Sequence, residues 1–194
     1  MNDREKFNLA YHESSHAVVG CVLGREVEYV TIIPAEGEAA RGKVKFVPED
    51  VTEANHIAVV KRALVYKLAG FIGALTCCGE SDPNISDEDF WRHTDTQLQV
   101  AGFGREDGET GDSGDIKELL QILQQSEQDF ESCKREIAGK TIELTYQYWS
   151  AIKALAEALL VHGKLTGEQV NPLLQPFGIV ARRGPAVSYG ELYR

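Results

Sequence analysis

Two histidines and a glutamate near the start of the chain have the spacing of a metal-dependent hydrolytic site. His12 and His16 lie four residues apart, so a helix would place both imidazoles on one face, about one turn apart, where two nitrogens can bind one ion. Glu13 follows His12 and can take a proton from water at an open position of that ion. This His-Glu-x-x-His pattern is typical of zinc metallopeptidases. The alternative is a pair of half-buried histidines without a metal, and the motif alone does not decide between the two.

The residues around this motif have the signals of a helix. Asp3 is a candidate cap at its start, and an apolar run continues the pattern from Ala17 to Leu23. Gly24 can adopt the left-handed conformation that ends many helices. The two histidines would then lie in the middle of the helix, where side-chain geometry is most predictable.

Two strands are predicted after this helix. Residues 28–33 are rich in β-branched side chains and end at Pro34, while residues 43–47 alternate polar and apolar and end at Pro48. We expect the two to pair in antiparallel fashion in a small sheet. The strand near Val30 either aligns an extended substrate through main-chain hydrogen bonds or only covers the core.

Further helices are predicted wherever a capping residue precedes an apolar run. Their predicted extents are Thr52 to about Cys78, Ser86 onward, Ser113 onward, Ser126 to His162 with a bend or break near Gly139, and Thr166 onward. We expect Gly163 to end the long helix and His56 to lie on the surface. The predicted fold class is therefore mainly α with a small β-sheet (α+β).

Composition excludes several functions and locations. The chain has 194 residues and a formal net charge of -10, which argues against nucleic acid as a partner because phosphate binding needs a cationic surface. Its four cysteines have no Cys-x-x-Cys spacing, so we expect a reduced, cytoplasmic location. The N-terminus is too charged for a signal peptide. The longest apolar stretch, residues 63–78, is interrupted by Lys67 and is too short to span a membrane.

Five segments together resemble one family. The sequence is similar to the peptidase domain of the FtsH-type AAA zinc proteases, and the similarity covers about residues 5–170. The matching segments are 10–17, like the zinc helix; 30–34, like the strand after it; 68–79, like a Gly-Gly-Arg-Ala-Ala-Glu-Glu helix; 110–115, like a Thr-Gly-Ala-x-Asn-Asp segment; and 156–168, like the C-terminal helix and turn.

This resemblance implies a zincin-like helical peptidase domain with a defined set of site residues. His12, His16 and Asp115 would bind Zn²⁺, and Glu13 would be the catalytic base. Without the resemblance, Asp115 is explained as a carboxylate favoured in the first turn of a helix. Asp112 and His93 are the next candidates for the third ligand.

The sequence also departs from the family pattern. Ser14 and Ser15 replace Ala and Gly in the zinc motif, so we expect Ser15 to place its side chain against a neighbouring element. Phe71 and Ala74 replace an Arg and a Glu of the second helix. The link to the Asp segment is longer than usual. We expect residues 82–108, which include the aromatic pair Phe90 and Trp91, to pack beside the zinc cleft and limit access to it. The alternatives are a docking surface or a helix that only adds to the core.

We expect a zinc peptidase domain over residues 1–170, with an insertion at about 80–110, and a C-terminal tail over 171–194. The expected function is hydrolysis of peptide bonds in peptides or unfolded segments, without ATP-driven unfolding in this chain, because it has no Gly-x-x-x-x-Gly-Lys-Ser/Thr loop or membrane anchor. The alternative is a catalytically silent binding or regulatory protein that keeps the metal for structure. Homo-oligomerisation stays open.

Overall fold

Helices and a small three-stranded sheet make up the described part of the chain. The computed structural model describes residues 1–34, 42–80, 82–100 and 112–180. Its helices are α1 (Asp3–Val22), α2 (His56–Cys77), α3 (Asp87–Val100), α4 (Asp112–Ser126), α5 (Phe130–Gln147), α6 (Trp149–His162) and α7 (Gly167–Leu174); its strands are β1 (Val27–Thr31), β2 (Lys43–Phe46) and β3 (Lys164–Thr166). The predicted fold class, mainly α with a small β-sheet, is confirmed.

Helix α1 begins and ends with recognisable caps. Asn2, rather than the predicted Asp3, is the N-cap: its side-chain oxygen accepts the Glu5 backbone N–H at 2.9 Å, and the Glu5 carboxylate accepts the Asn2 N–H at 2.9 Å. This reciprocal pairing satisfies the backbone N–H groups of Asn2 and Glu5. Asp3 cannot do this, because it lies inside the helix. Gly24 has the predicted left-handed conformation, with φ at 86°.

Three other helices start at different residues from those predicted. One is α5, which begins at Phe130 rather than at Ser126, the last residue of α4. The second predicted helix begins at His56, after Thr52, because the Asn55 side chain accepts the Thr52 backbone N–H and closes a turn before the helix. His56 is exposed at that helix start, as expected. Helix α4 already includes Asp112, so Ser113 lies inside it rather than capping it.

The sheet has the order β2-β1-β3 with both pairings antiparallel, which confirms the predicted β1–β2 pair. Val30 faces Val44 on one side and Leu165 on the other. Strand β3 was not predicted because three residues between two helices show no alternating pattern. Because β1 is paired on both edges, it cannot add an extended substrate by main-chain hydrogen bonds. The prediction that the strand near Val30 aligns a substrate is therefore wrong.

The long predicted helix is divided at Tyr148, not near Gly139. Helix α5 continues through Gly139, and α6 starts directly after Tyr148, whose φ and ψ of -103° and 20° lie outside the helical range. Gly139 is exposed and its backbone stays helical, because glycine lowers helix stability by only about 1 kcal/mol and does not itself force a break. Gly163 ends α6 with a positive φ of 73°, as predicted.

Two apolar clusters hold these elements together. One joins α2 to α3, α4 and α5; its fully buried members include Leu64, Leu68, Phe90, Ile116, Leu123 and Ile137. The other joins α1 to the sheet, α6 and α7, and includes Val18, Val30, Ile152, Leu155 and Leu165. Leu174 and Ile179 are also buried in this second cluster. The division at residue 170 stays a prediction, and residues 181–194 of the expected tail lie outside the described residues.

The described part of the predicted insertion adds to the core. Phe90 and Trp91 of α3 are buried in the first cluster, and the Trp91 indole N–H donates to the Lys134 carbonyl of α5 at 3.2 Å. The aromatic pair therefore covers the α5 side of the core, which was the alternative to a lid. Residues 81 and 101–111 of the insertion lie outside the described residues. None of the helices described is both long and apolar enough to cross a bilayer.

Candidate metal centre

Three potential metal ligands meet where α1 passes the start of α4. The Nε2 atoms of His12 and His16 are 2.9 Å apart, and Asp112 Oδ2 lies 3.2 Å from the first and 3.1 Å from the second. The helical spacing of the two histidines produces the first contact, as the sequence predicts. The third potential ligand, the Asp112 carboxylate, lies 100 positions after His12 in the chain.

The spacing of these three atoms suits zinc. Ligands held at about 2.0–2.1 Å from a tetrahedral zinc ion are about 3.3 Å from one another, close to the 2.9 to 3.2 Å between the donor atoms here. Two imidazoles and one carboxylate form the donor set of many catalytic zinc sites, which leave a fourth position open. The residues present therefore fit the metal that the motif implies.

His16 is held in the ring form that a metal ligand needs. Its Nδ1 lies 2.8 Å from the Tyr66 carbonyl oxygen of α2. Because a carbonyl oxygen only accepts hydrogen bonds, Nδ1 carries the ring proton and Nε2 keeps its lone pair. Hydrogen bonds of this kind orient metal-binding histidines and increase their basicity.

The structure places Asp112, rather than the predicted Asp115, against the two imidazoles. Asp115 Oδ2 instead lies 2.6 Å from Lys67 Nζ. The two carboxylates are three residues apart on α4, so both lie on one helix face. Asp112 is the first described residue of α4, and it reaches the histidines, whereas Asp115 lies nearly one turn further along the helix. Asp112 was one of the two reserve candidates; the other, His93, is exposed on α3.

Lys67 links the two carboxylates and was missed as a site residue. Its Nζ donates to Asp112 Oδ1 at 3.2 Å and to Asp115 Oδ2 at 2.6 Å, and its side chain is only 18% exposed. Burial lowers the pKa of Lys67, but Asp112 and Asp115 raise it above its ordinary value. The sequence held a signal, since Lys67 interrupts an apolar helix and a buried lysine needs an anionic partner.

Asp112 is held as a carboxylate. Burial raises the pKa of its carboxyl group, but the His16 and His12 imidazoles outweigh this effect and bring the pKa well below its ordinary value. One oxygen, Oδ1, faces Lys67 and the other, Oδ2, faces the imidazoles. This division of contacts leaves one oxygen available to a metal.

Glu13 lies buried beside this cluster. Its side chain is 4% exposed, and burial raises the pKa of its carboxyl group to about 8, although His12 and Lys67 lower it. Gly42, next to β2, covers the carboxyl group so closely that a Cβ there would lie 2.5 Å from Oε1. A side chain larger than hydrogen at position 42 would displace Glu13.

Two glycines of α2 make room for the zinc motif. A Cβ on Gly70 would lie 2.4 Å from His16 Nε2, and one on Gly73 would lie 1.9 Å from Ser15 Oγ. The expectation that Ser15 places its side chain against a neighbouring element is thus confirmed. Its hydroxyl group donates to the Tyr11 carbonyl at 2.8 Å. The two helices can approach this closely only because α2 has no side chain at either position.

Comparison with known proteins now identifies the family. The family model described as Peptidase family M41 matches residues 1–104, which is more than half of the chain. The chain belongs to peptidase family M41. This family consists of zinc metallopeptidases, so the resemblance to FtsH-type proteases is confirmed.

A curated relative gives the same assignment over a shorter stretch. Across 73 residues, or 36% of this M41 chain, the sequence is 41% identical to the ATP-dependent zinc metalloprotease FtsH of Chloroflexus aggregans. The match spans only 11% of that protein's length. The M41 match itself ends before α4. It therefore includes both histidines and Glu13 but neither Asp112 nor Asp115.

Proposed function

We propose that this chain is a zinc-dependent peptidase in which His12, His16 and Asp112 bind the metal and Glu13 is the catalytic base. The observation that carries this proposal is the convergence of the three donor atoms, 2.9 to 3.2 Å apart, beside the buried Glu13 carboxyl group. Asp112 takes the role that the motif resemblance gives to Asp115.

Each residue of the site has a separate task. Zinc bound there would supply a Lewis acid that polarises the scissile carbonyl, lowers the pKa of water and favours the ionised form of Glu13. Glu13 accepts a proton on a carboxylate oxygen and passes it to the leaving amine. Lys67 holds Asp112 Oδ1, so that Oδ2 keeps facing the imidazoles.

Peptides and unfolded segments are the proposed substrates. Gly42 contacts Glu13 and stands immediately before β2, whose pairing with β1 uses one of its two edges. An extended peptide that adds to the outer edge of β2 would be aligned by main-chain hydrogen bonds and brought close to Glu13. Such recognition depends on the peptide backbone and favours chains that are not folded.

A second candidate is a catalytically silent binding or regulatory protein that keeps the metal for structure. The burial of Glu13 favours it, because a pKa of about 8 leaves this carboxyl group largely protonated at neutral pH unless a cation lies nearby. A protonated Glu13 cannot act as a base. The two candidates thus differ in the ionisation of one residue when the metal is bound.

Zinc content and casein cleavage decide between these candidates. We expect purified protein to contain one zinc per chain and to cleave unfolded casein. Glu13→Gln should keep the zinc but lose cleavage, because its amide cannot accept the proton although its shape is nearly unchanged. Zinc binding without cleavage by the wild type would favour the silent protein, and equal turnover by the variant would remove Glu13 from the mechanism.

Two matched variants test the identity of the third ligand. We expect Asp112→Asn to weaken zinc binding by at least about 100-fold, and Asp115→Asn, which removes the carboxylate 2.6 Å from Lys67 Nζ, to weaken it by about tenfold. Competition with a chromophoric chelator measures both affinities without any activity assay. The opposite order of effects would restore Asp115 as the ligand.

A further inference from the structure

A groove of about 600 Å³ opens beside His12, between the first half of α1 and the second half of α2. Its α1 wall is polar and includes Asn8 and His12. Its α2 wall is largely apolar and consists of Phe71, Ala74, Leu75 and Cys78. Phe71, Ala74 and Leu75 recur at helical spacing and form one face of α2, and Cys78 directly follows the end of this helix.

His12 joins this groove to the candidate metal centre. Its Nε2 atom faces His16 and Asp112, while its ring packs edge-on against Phe71 with 5.6 Å between ring centroids. A peptide whose scissile bond lies at the metal centre would therefore have a neighbouring side chain within reach of the groove. The size of the groove falls within the range of ligand pockets.

The apolar wall coincides with the departures from the FtsH-type pattern. When the Gly-Gly-Arg-Ala-Ala-Glu-Glu motif is placed from Ala69, Phe71 stands at the Arg, and Ala74 and Leu75 stand at the two Glu. All three substitutions replace a charged side chain with an apolar one, and all three line the groove. The charged side chains near the groove, such as Arg4 and Glu80, are exposed, so they remain hydrated and discriminate little.

We propose that this groove binds a large apolar side chain of the peptide substrate next to the cleaved bond, and that Phe71 is its main specificity determinant. This inference rests on the proposed peptidase function. Removing a leucine or phenylalanine side chain from water against an apolar wall gives a preference over alanine of about 10- to 100-fold. The occupant is a substrate residue, because the groove adjoins a candidate ligand of the metal.

Fluorescence-quenched peptide substrates that differ at one position test this proposal. The peptides carry Leu, Phe, Ala or Asp at a single site within an otherwise Gly- and Ser-rich sequence, and mass spectrometry locates the cleaved bond. We expect the wild type to prefer Leu and Phe over Ala by about 10- to 100-fold in kcat/KM. Phe71→Ala and Ala74→Glu should each reduce this ratio at least about fivefold while keeping one zinc per chain.

Phe7→Ala is the matched control. Phe7 is an exposed aromatic residue of α1 that packs on Tyr11 and does not line the groove, so its removal should leave the ratio unchanged. An unchanged ratio in both Phe71→Ala and Ala74→Glu would overturn the proposal. Ala74→Glu also guards against a folding defect in Phe71→Ala, because it alters the wall without removing a packed ring.

Binding to an inactive variant separates this inference from the proposed function. Fluorescein-labelled forms of the Leu and Ala peptides are titrated against Glu13→Gln, with and without Phe71→Ala. One possible outcome is that the wild type cleaves none of the peptides, whereas Glu13→Gln binds the Leu peptide more tightly than the Ala peptide and loses this preference when Phe71→Ala is added. In that case the groove proposal stands and the peptidase function falls. If cleavage occurs without discrimination between Leu and Ala in either assay, the function stands and the groove proposal falls.

Discussion

Helices α2 and α5 each carry glycine in their interior, but the glycines face different surroundings. At Gly70 of α2, the His16 imidazole fills the space that a side chain would take. At Gly139 of α5, none of the described residues comes within 4 Å of the position of a Cβ. A glycine in mid-helix destabilises the helix by about 1 kcal/mol in both cases, yet only at Gly70 does the packing require it.

The two regions also differ in how they treat carboxyl groups. Glu13 of α1 is buried next to Gly42, whereas Glu131, Glu136 and Glu143 of α5 are exposed. Burial of an ionisable group without full compensation destabilises a fold. The region around His16 and Glu13 therefore contains destabilising features, an interior glycine and a buried carboxyl group, that α5 lacks or keeps in solvent. Substitutions in that region should show which of these features the site requires.

The largest effect of a single substitution is expected for Gly70→Ala. The new methyl group would lie 2.3 Å from His16 Cε1, so the imidazole or the helix must move, which should destabilise the protein by about 3 kcal/mol. Because His16 is a proposed zinc ligand, its displacement should also weaken zinc binding by at least about 100-fold. Urea unfolding and chelator competition measure the two effects.

Gly73→Ala is the matched control for this prediction. It overpacks the same pair of helices but meets Ser15, not a ligand. We expect Gly73→Ala to destabilise the fold. The double variant Ser15→Gly/Gly73→Ala should recover stability, because Ser15→Gly removes the side chain that the new methyl group would meet. Zinc affinity that falls equally in Gly70→Ala and Gly73→Ala would show that helix packing in general, rather than the His16 contact, sets the affinity.

A pH-dependent loss of stability is expected from the burial of Glu13. With a folded pKa of about 8 against an ordinary value of 4.5, the folded state keeps a proton that the unfolded state releases between these pH values. After chelator treatment, stability should therefore fall as pH rises through this window, by about 1.4 kcal/mol per pH unit relative to Glu13→Gln. Parallel stability curves for the two proteins would contradict this.

Gly42→Ala should affect catalysis more than metal binding. The added Cβ would lie 2.5 Å from Glu13 Oε1, so the Glu13 carboxyl group would have to move. We expect kcat/KM on casein to fall by about 10- to 100-fold, within the range that a positioned base contributes, with zinc affinity within about twofold of the wild type. A parallel loss of zinc would mean that residue 42 also supports the ligands.

The smallest effect, with the opposite sign, is expected for Gly139→Ala. Alanine fits the helical backbone of α5 and meets open space, so the free energy of unfolding should increase by about 0.5–1 kcal/mol. Zinc binding and cleavage should stay unchanged. Destabilisation by this variant would remove the contrast with Gly70 and indicate contacts beyond those described.

Local sequence signals predicted the elements that depend on neighbours in the chain. The pairing of His12 with His16 follows from helical periodicity alone, and the left-handed endings at Gly24 and Gly163 follow from glycine's lack of a Cβ. The helix start at Thr166 was predicted from its capping residue, and the structure has a capping box there with Gln169. These features involve contacts over at most four residues.

Tertiary structure decided the features that depend on distant residues. The choice of Asp112 over Asp115 depends on where α4 begins relative to α1, and the break at Tyr148 depends on how α5 and α6 each pack on the core. Both aspartates satisfy the same local pattern, so no property of their segment distinguishes them. Only the approach of α4 to His12 and His16 does so.

The sequence by itself thus determined which residues can hold a metal and take a proton, because helical periodicity fixes His12, Glu13 and His16 relative to one another. The folded structure decided which carboxylate completes the cluster, and which cation, Lys67, orients it. It also decided that Gly42 and Gly70 must lack side chains, because their closest neighbours, Glu13 and His16, are far away in the sequence. Contacts of this kind arise from packing, which local sequence patterns do not encode.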